Sequence, residues 1–326
     1  MATLLEDGAD DWIDETEGMV AAGLAELAAA MAQAGDDVAS WAPVQSLEVG
    51  LASRLAFLRC AKFDAVKARA RRARYWEFRA GLFPPGLRTR DGHLPGAGHP
   101  CLAKTLRLGV TEFPIGARDK KGRQVAVIRL ARVNYDIVEP IDVLRGVWFH
   151  MHMAMDDTAG GDTGEAVGEC HDGDLTQRRG LFVLNNMAGM GTSNVRRETL
   201  SLLATSIQDI LPVRVGAIRL LNEPVFFDWL WMLVKFFIRA KLRERVVILG
   251  SNEAALAAWL DPTTAIPTDL GGERVWDNLG WLASERALAG PGGAPSGVEG
   301  GGDRASAEGA LRTDGALRVE ERGAME

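Results

Sequence analysis

Leu220-Leu-Asn-Glu-Pro-Val-Phe-Phe-Asp-Trp-Leu-Trp-Met-Leu-Val-Lys-Phe-Phe-Ile-Arg239 decides how this chain is read. It begins as the end of a strand, turns, and continues as a helix over Pro224–Arg239. After Glu223 its ionisable residues are Asp228, Lys235 and Arg239, which helical spacing gathers on one narrow stripe. The rest of the circumference is Val, Phe, Trp, Leu, Met and Ile. The apolar run Val225–Ile238 falls short of the ~20 residues that a membrane-spanning helix needs. Such a helix is either buried on two sides or borders something apolar that is not always present. It reads as the movable lid of a lipid-sized pocket.

Outward from this stretch, strands and helices alternate. Strands are predicted at Val110–Ile115, Val125–Val133, Gly180–Asn185, Val213–Leu221 and Arg245–Gly250. Helices are predicted at Ile141–Met155, Arg197–Leu211 and Glu253–Leu260, with turns at Asp119–Arg123 and Pro267–Gly272. This alternation predicts an α/β fold, a mainly parallel sheet with helical crossovers. Upstream, the pattern is helical: Thr16–Gln33 with a stripe of Leu24, Leu27 and Met31, then Ser46–Arg59 with Leu47, Leu51, Leu55 and Leu58. Asp64 is a suitable cap for a third helix, Ala65 to about Arg79. On that helix Val66, Ala70 and Ala73 read as the inner face, and Lys67, Arg69, Arg71, Arg72 and Arg74 as the wet one.

The 326 residues are 47% hydrophobic, enough for one sizeable core and a small accessory domain. A net charge of −7 argues against general nucleic-acid binding, and the basic helix around Tyr75 and Trp76 reads as a solvated face. Cys60, Cys101 and Cys170 are odd in number and widely spaced, as in a reduced, cytoplasmic protein. The N-terminus has neither the basic start nor the apolar core of a signal peptide. His150, His152, Cys170 and His171 have no metal-ligand spacing, so no metal is expected. Asn186-Met-Ala-Gly189-Met-Gly191-Thr-Ser suggests a nucleotide-binding oxidoreductase only faintly, because Asn194 stands where the third glycine belongs.

Five motifs in order resemble the CRAL-TRIO lipid-binding family over roughly residues 45–273. They are Ser53-Arg-Leu-Ala-Phe-Leu-Arg-Cys-Ala-Lys-Phe-Asp64 with Tyr75-Trp-Glu-Phe-Arg79; Asp119–Leu130; Gly180–Gly189; Arg219–Phe227 with Lys235; and Ile248-Leu-Gly250 with Leu270-Gly-Gly-Glu273. Asn222-Glu-Pro224 most resembles the branch of α-tocopherol transfer protein, retinaldehyde-binding protein and clavesin. The resemblance implies an N-terminal helical domain (45–95) and a lipid-binding domain (96–275); by composition an acidic helical extension (1–44) precedes them and a disordered tail (285–326) follows.

What the resemblance implies is a non-enzymatic carrier, without a cofactor, that holds one lipid non-covalently and exchanges it at membranes. It implies a monomer that is cytoplasmic and peripherally membrane-associated, with no nucleic-acid partner. A module that senses lipid without transporting it fits the same motifs, and vesicle exchange separates the two.

By the same resemblance, Leu144, Val147, Trp148 and Met151 face the cavity from one helix, Leu181, Val183 and Asn185 from one strand, and Val215 and Ile218 from the next. Asn185 stands where the family carries an apolar residue. Its amide suits a ligand hydroxyl or carbonyl, or a buried water. On the lid, Phe226, Phe227, Leu230, Leu233, Val234 and Phe237 are assigned inward; Trp229, Trp231 and Phe236 are assigned to a membrane-touching edge. Phe236 replaces the proline that commonly follows the lid lysine. Arg214, Arg219, Lys235 and Arg239, with Lys241, Arg243 and Arg245 nearby, are candidates for phosphoinositide headgroups. Ile210–Arg214 lacks the acid that phosphatidylinositol exchangers carry, which argues against phosphatidylinositol as cargo.

Overall fold

The computed structural model describes residues 14–35, 51–87, 94–155, 173–284 and 287–288, without the side chains of 51–53. The expectations for the acidic extension before Asp14, the start of the second helix, the 156–172 stretch with Cys170 and His171, and the tail after 288 lie outside these residues.

Three helices come first. In α1 (Glu17–Gln33) the Thr16 hydroxyl accepts from the Met19 N–H at 3.2 Å, and Gly23, Leu27 and Met31 are buried. A Cβ on Gly23 would stand 2.9 Å from the Phe63 ring, so only glycine permits this approach. α2 (Leu51–Cys60) leads to α3 (Ala65–Leu82), which Asp64 caps through the Lys67 N–H.

The inner face of α3 is not the expected one. Ala65, Ala68, Arg72, Tyr75, Trp76 and Arg79 are buried, whereas Val66 is 73% exposed. The Arg72 and Arg79 guanidinium groups lie 5.9 and 5.2 Å from the Trp76 ring centroid. An aromatic face takes up a planar, weakly hydrated cation in the interior, which a rule sending every charge to water misses. Arg71 also turns inward and donates to the carbonyls of Leu211 and Ile207.

After α4 (Pro100–Leu108), five strands form one sheet in the order β1 (Thr111–Glu112), β2 (Gln124–Ile128), β3 (Leu181–Asn186), β4 (Val215–Leu221), β5 (Val246–Ile248). β1 pairs antiparallel with β2, and every other pairing is parallel. The crossovers are α5 (Pro140–Met155) with α6 (Gly173–Arg179), α7 (Arg197–Thr205), and α8 (Phe227–Phe237) with α9 (Ala240–Arg243). β1 is shorter than predicted, and β2 ends early because Leu130–Arg132 coils into a 3₁₀ turn. The Arg197–Leu211 helix changes at Ser206 to a π-helical turn through Ile210.

Alternation along the strands divides the interior. Val125, Val127, Phe182, Leu184, Ala217 and Leu221 pack behind the sheet with Leu256, Trp259, Leu260 and Ile266. Ala126, Ile128, Val183, Val215, Ile218 and Leu220 face the front. A bulge keeps Val215 in front: the register runs Leu181↔Val215 and then Phe182↔Ala217, skipping Gly216. A Cβ on Gly216 would lie 2.6 Å from Arg123 Cδ, so this glycine makes room for the buried Arg123–Asp119 ion pair.

The chain does not leave the core at 275. α10 (Asn278–Leu282) brings Trp281 onto His150, stacked at 5.9 Å, and Ala287 O accepts from the Ala97 N–H. Among the described residues no helix is long and apolar enough to cross a membrane.

Candidate functional site: an apolar cavity beneath α8

A cavity of about 220 Å³ lies between the front of the sheet and α8. Its floor is Ala126, Ile128, Val183, Asn185, Val215, Ile218, Leu220 and Val246. Val143, Val147 and Met151 form one wall, spaced i, i+4, i+8 along α5. Leu200, Leu203, Ala204 and Ile207 form the other, from α7 and the π turn. Phe227, Leu230, Trp231 and Val234 close it from α8, continued by Phe237, Ile238 and Leu242. Among the described residues no ionisable side chain lines it.

Of the residues assigned inward, Val147, Met151, Val183, Asn185, Val215, Ile218, Phe227, Leu230, Val234 and Phe237 lie on this surface. Leu144, Trp148 and Leu181 do not. They are fully buried in solid packing one step around their elements, and Trp148 stacks on Tyr75 at 5.3 Å and donates to Ser206 Oγ at 2.5 Å. Phe226 stands before the first turn of α8, its ring 6.3 Å from Trp229, and Leu233 is half-buried away from the cavity. Trp231, assigned to the membrane edge, turns inward and stacks on Phe227 at 6.0 Å. The α7 wall was missed, although Leu200, Leu203, Ala204 and Ile207 recur at helical spacing and were there to be read.

The outer side of α8 is apolar too. Trp229, Met232 and Phe236, spaced i, i+3, i+7, are all exposed, as is Val225 in the turn before the helix. α8 is shorter than Pro224–Arg239, and Asn222 does not cap it. Asn222 takes a left-handed conformation (φ 54°) and its amide donates to Asn186 Oδ1 and Glu253 Oε1. The C-terminal end is held differently. Gln208 on the π turn donates to Phe237 O at 3.0 Å and accepts from the Arg239 N–H at 2.7 Å, while Arg239 pairs with Asp209 at 2.5 Å. One amide side chain thus satisfies a carbonyl and an N–H left free where the helix ends.

Beside the cavity is a second pocket of about 190 Å³, lined by Lys62, Arg71, Arg214, Arg239, Lys241 and Arg245. It shares Ile207, Val215 and Leu242 with the apolar cavity, so three side chains form a common wall. Burial pulls Arg71 below the ordinary guanidinium range and pushes up the neighbouring Cys60 thiol, which Arg71 and Arg214 oppose. Lys235 lies outside this pocket, exposed, with Nζ 5.4 Å from the Trp231 ring centroid.

Arg219 is the clearest correction. It is 1% exposed and points behind the sheet, its guanidinium 4.2 Å from the Trp259 ring centroid and 5.4 Å from that of Phe182. Beyond the bulge Ala217, Arg219 and Leu221 share the back face, so Arg219 cannot meet a headgroup in this state. The histidines also lie apart. His150 is sealed 3.0 Å from Thr111 Oγ1, and burial lowers its pKa to about 4; His152 bonds Tyr75 and Trp148 O.

Residues 111–272 match the family described as the CRAL/TRIO domain. Among curated proteins the chain is 24% identical over 245 residues to Clavesin-1 of Xenopus laevis, covering 73% of this chain and 64% of that protein. It is 24% identical over 226 residues to Clavesin-2 of Homo sapiens, covering 67% and 60%. The matches thus span less than two thirds of the length of these relatives. Among solved structures, that of Sfh5 superposes with a TM-score of 0.53 at 11% identity, over 83% of this chain and 93% of that one. That likeness is one of fold.

Proposed function

We propose that this chain, whose residues 111–272 are a CRAL/TRIO domain, carries one apolar lipid in the cavity beneath α8 and exchanges it at a membrane. The observation that supports this is the pairing of an uncharged cavity with a covering helix that is apolar on both sides. Burying a chain contributes about 0.8 kcal/mol per methylene, so a ~12-carbon tail gains roughly 10 kcal/mol before ordering costs. The Trp229–Met232–Phe236 stripe is costly in water and favourable at a bilayer interface. Swinging α8 toward the membrane therefore trades one apolar contact for another.

The basic pocket adds the second half of the reading: an anionic headgroup, of which a phosphoinositide is the best match, docks among Arg214, Arg239, Lys241 and Arg245. Because Ile207, Val215 and Leu242 belong to both pockets, occupancy of one is felt in the other. The protein acts as a cytoplasmic monomer that touches membranes transiently and performs no chemistry on its cargo.

The test is transfer of a fluorescent neutral lipid between donor and acceptor vesicles. Transfer should rise when the acceptor contains a phosphoinositide rather than phosphatidylserine at matched surface charge. Binding without transfer would leave a lipid sensor. Equal rates on both acceptors would remove the phosphoinositide.

A further inference from the structure

The cavity floor carries one row of side chains that crosses the sheet: the register pairs Thr111 with Ile128, Ile128 with Asn185, and Asn185 with Leu220. Two of the four are polar. Thr111 is engaged, its hydroxyl 3.0 Å from His150 Nδ1. Asn185 is not: its Oδ1 is shut off from water and has no hydrogen-bond partner. A buried acceptor left unmade is disfavoured, and native interiors rarely keep one without a reason. Here the amide stands among aliphatic side chains on a surface without charge, at a position that β3's alternation aims into the void.

We infer that Asn185 is the head-group subsite of the cavity and that the cargo is an apolar molecule ending in an uncharged hydrogen-bond donor, a lipid alcohol. This rests on the reading of the cavity as a lipid site and adds the chemical class of the lipid. Once turned toward the void, the amide oxygen is an acceptor that a ligand hydroxyl satisfies. An amide's terminal torsion is broad and two-fold, so a half-turn presents the oxygen to an arriving hydroxyl. A phosphate or carboxylate finds no cation inside and would be stripped of water without compensation. Charged headgroups stay outside, and the cargo's polar end is neutral.

The experiment is isothermal titration of the delipidated full chain with lauryl alcohol, lauryl methyl ether, which lacks the donor, and laurate at neutral pH. The wild type is expected to bind the alcohol on the order of tenfold tighter than the ether, the value of one well-made buried hydrogen bond. Laurate should bind weakest. Asn185→Leu should erase the preference by weakening the alcohol alone, with the ether held as well as before and the melting temperature unchanged or higher. If the wild type binds all three with no preference for the alcohol, or laurate best, the assignment is overturned while the lipid site stands. If none of the three binds, the lipid site fails and this inference with it. The wild-type ratio decides even if the variant does not fold.

Discussion

The two faces of one sheet are built on opposite terms. Behind it, Arg123, Arg219 and Asp119 are buried, yet the space is full: the charges pair with one another or lie on the rings of Phe182 and Trp259. In front is a void of about 220 Å³ that no ionisable side chain among the described residues lines. An empty volume of that size costs on the order of 5 kcal/mol at the rate measured for truncated cores. The back face is finished by the protein itself. On the proposed reading a lipid finishes the front, and its covering helix is apolar outside as well as inside.

That contrast can be broken most forcefully from behind. Asp119→Ala strands the Arg123 guanidinium in the interior and should cost about 3–5 kcal/mol in urea unfolding, with lipid affinity of the folded fraction unchanged. The opposite pattern is expected in front. Phe227→Asp with Phe237→Asp should abolish lipid loading, read by mass spectrometry of the purified chain, while the far-ultraviolet circular dichroism stays near wild type. Equal damage by both changes would mean that the faces are not distinct.

His150 sharpens the comparison, because it seals the end of the α5 layer in a neutral form. Its folded pKa, about 4, lies below the ordinary 6.5. The unfolded chain therefore binds the extra proton first, and stability should fall as pH drops from 6.5 toward 4, by up to about 3 kcal/mol. Denaturant midpoints measured across that window should lose most of this slope in His150→Gln. Gln208→Ala should speed vesicle transfer several-fold, since it frees the end of α8 at a cost of about 1 kcal/mol in stability. The smallest effect on folding is expected on the outer stripe: Trp229→Ser with Phe236→Ser should leave stability within about 0.5 kcal/mol and clearly reduce vesicle co-sedimentation.

Much of this was legible in the sequence, for identifiable reasons. The order of strands and helices follows from alternation and spacing, and the two-sided apolarity of α8 is visible in its residues. Asn185 stands on the front of the sheet because β3 alternates without interruption. Arg219 stands behind it, because its side of the sheet is set by a bulge at Gly216 that no local pattern announces. Arg72 was read as wet because its partner, the Trp76 ring, is itself a buried group. Trp148 and Leu144 share a helix with true lining residues, and periodicity alone does not say which of two adjacent buried faces meets a void. Trp281 packs from beyond the expected boundary at 275 because the extent of the family motifs is not the end of a core.

The most direct test is native mass spectrometry of the chain purified from its own source without detergent, followed by lipid extraction. The expected spectrum shows a single added mass per chain, released as an apolar molecule and absent from the Phe227→Asp, Phe237→Asp variant. A bare chain mass, with no exchange of added lipid, would contradict the account.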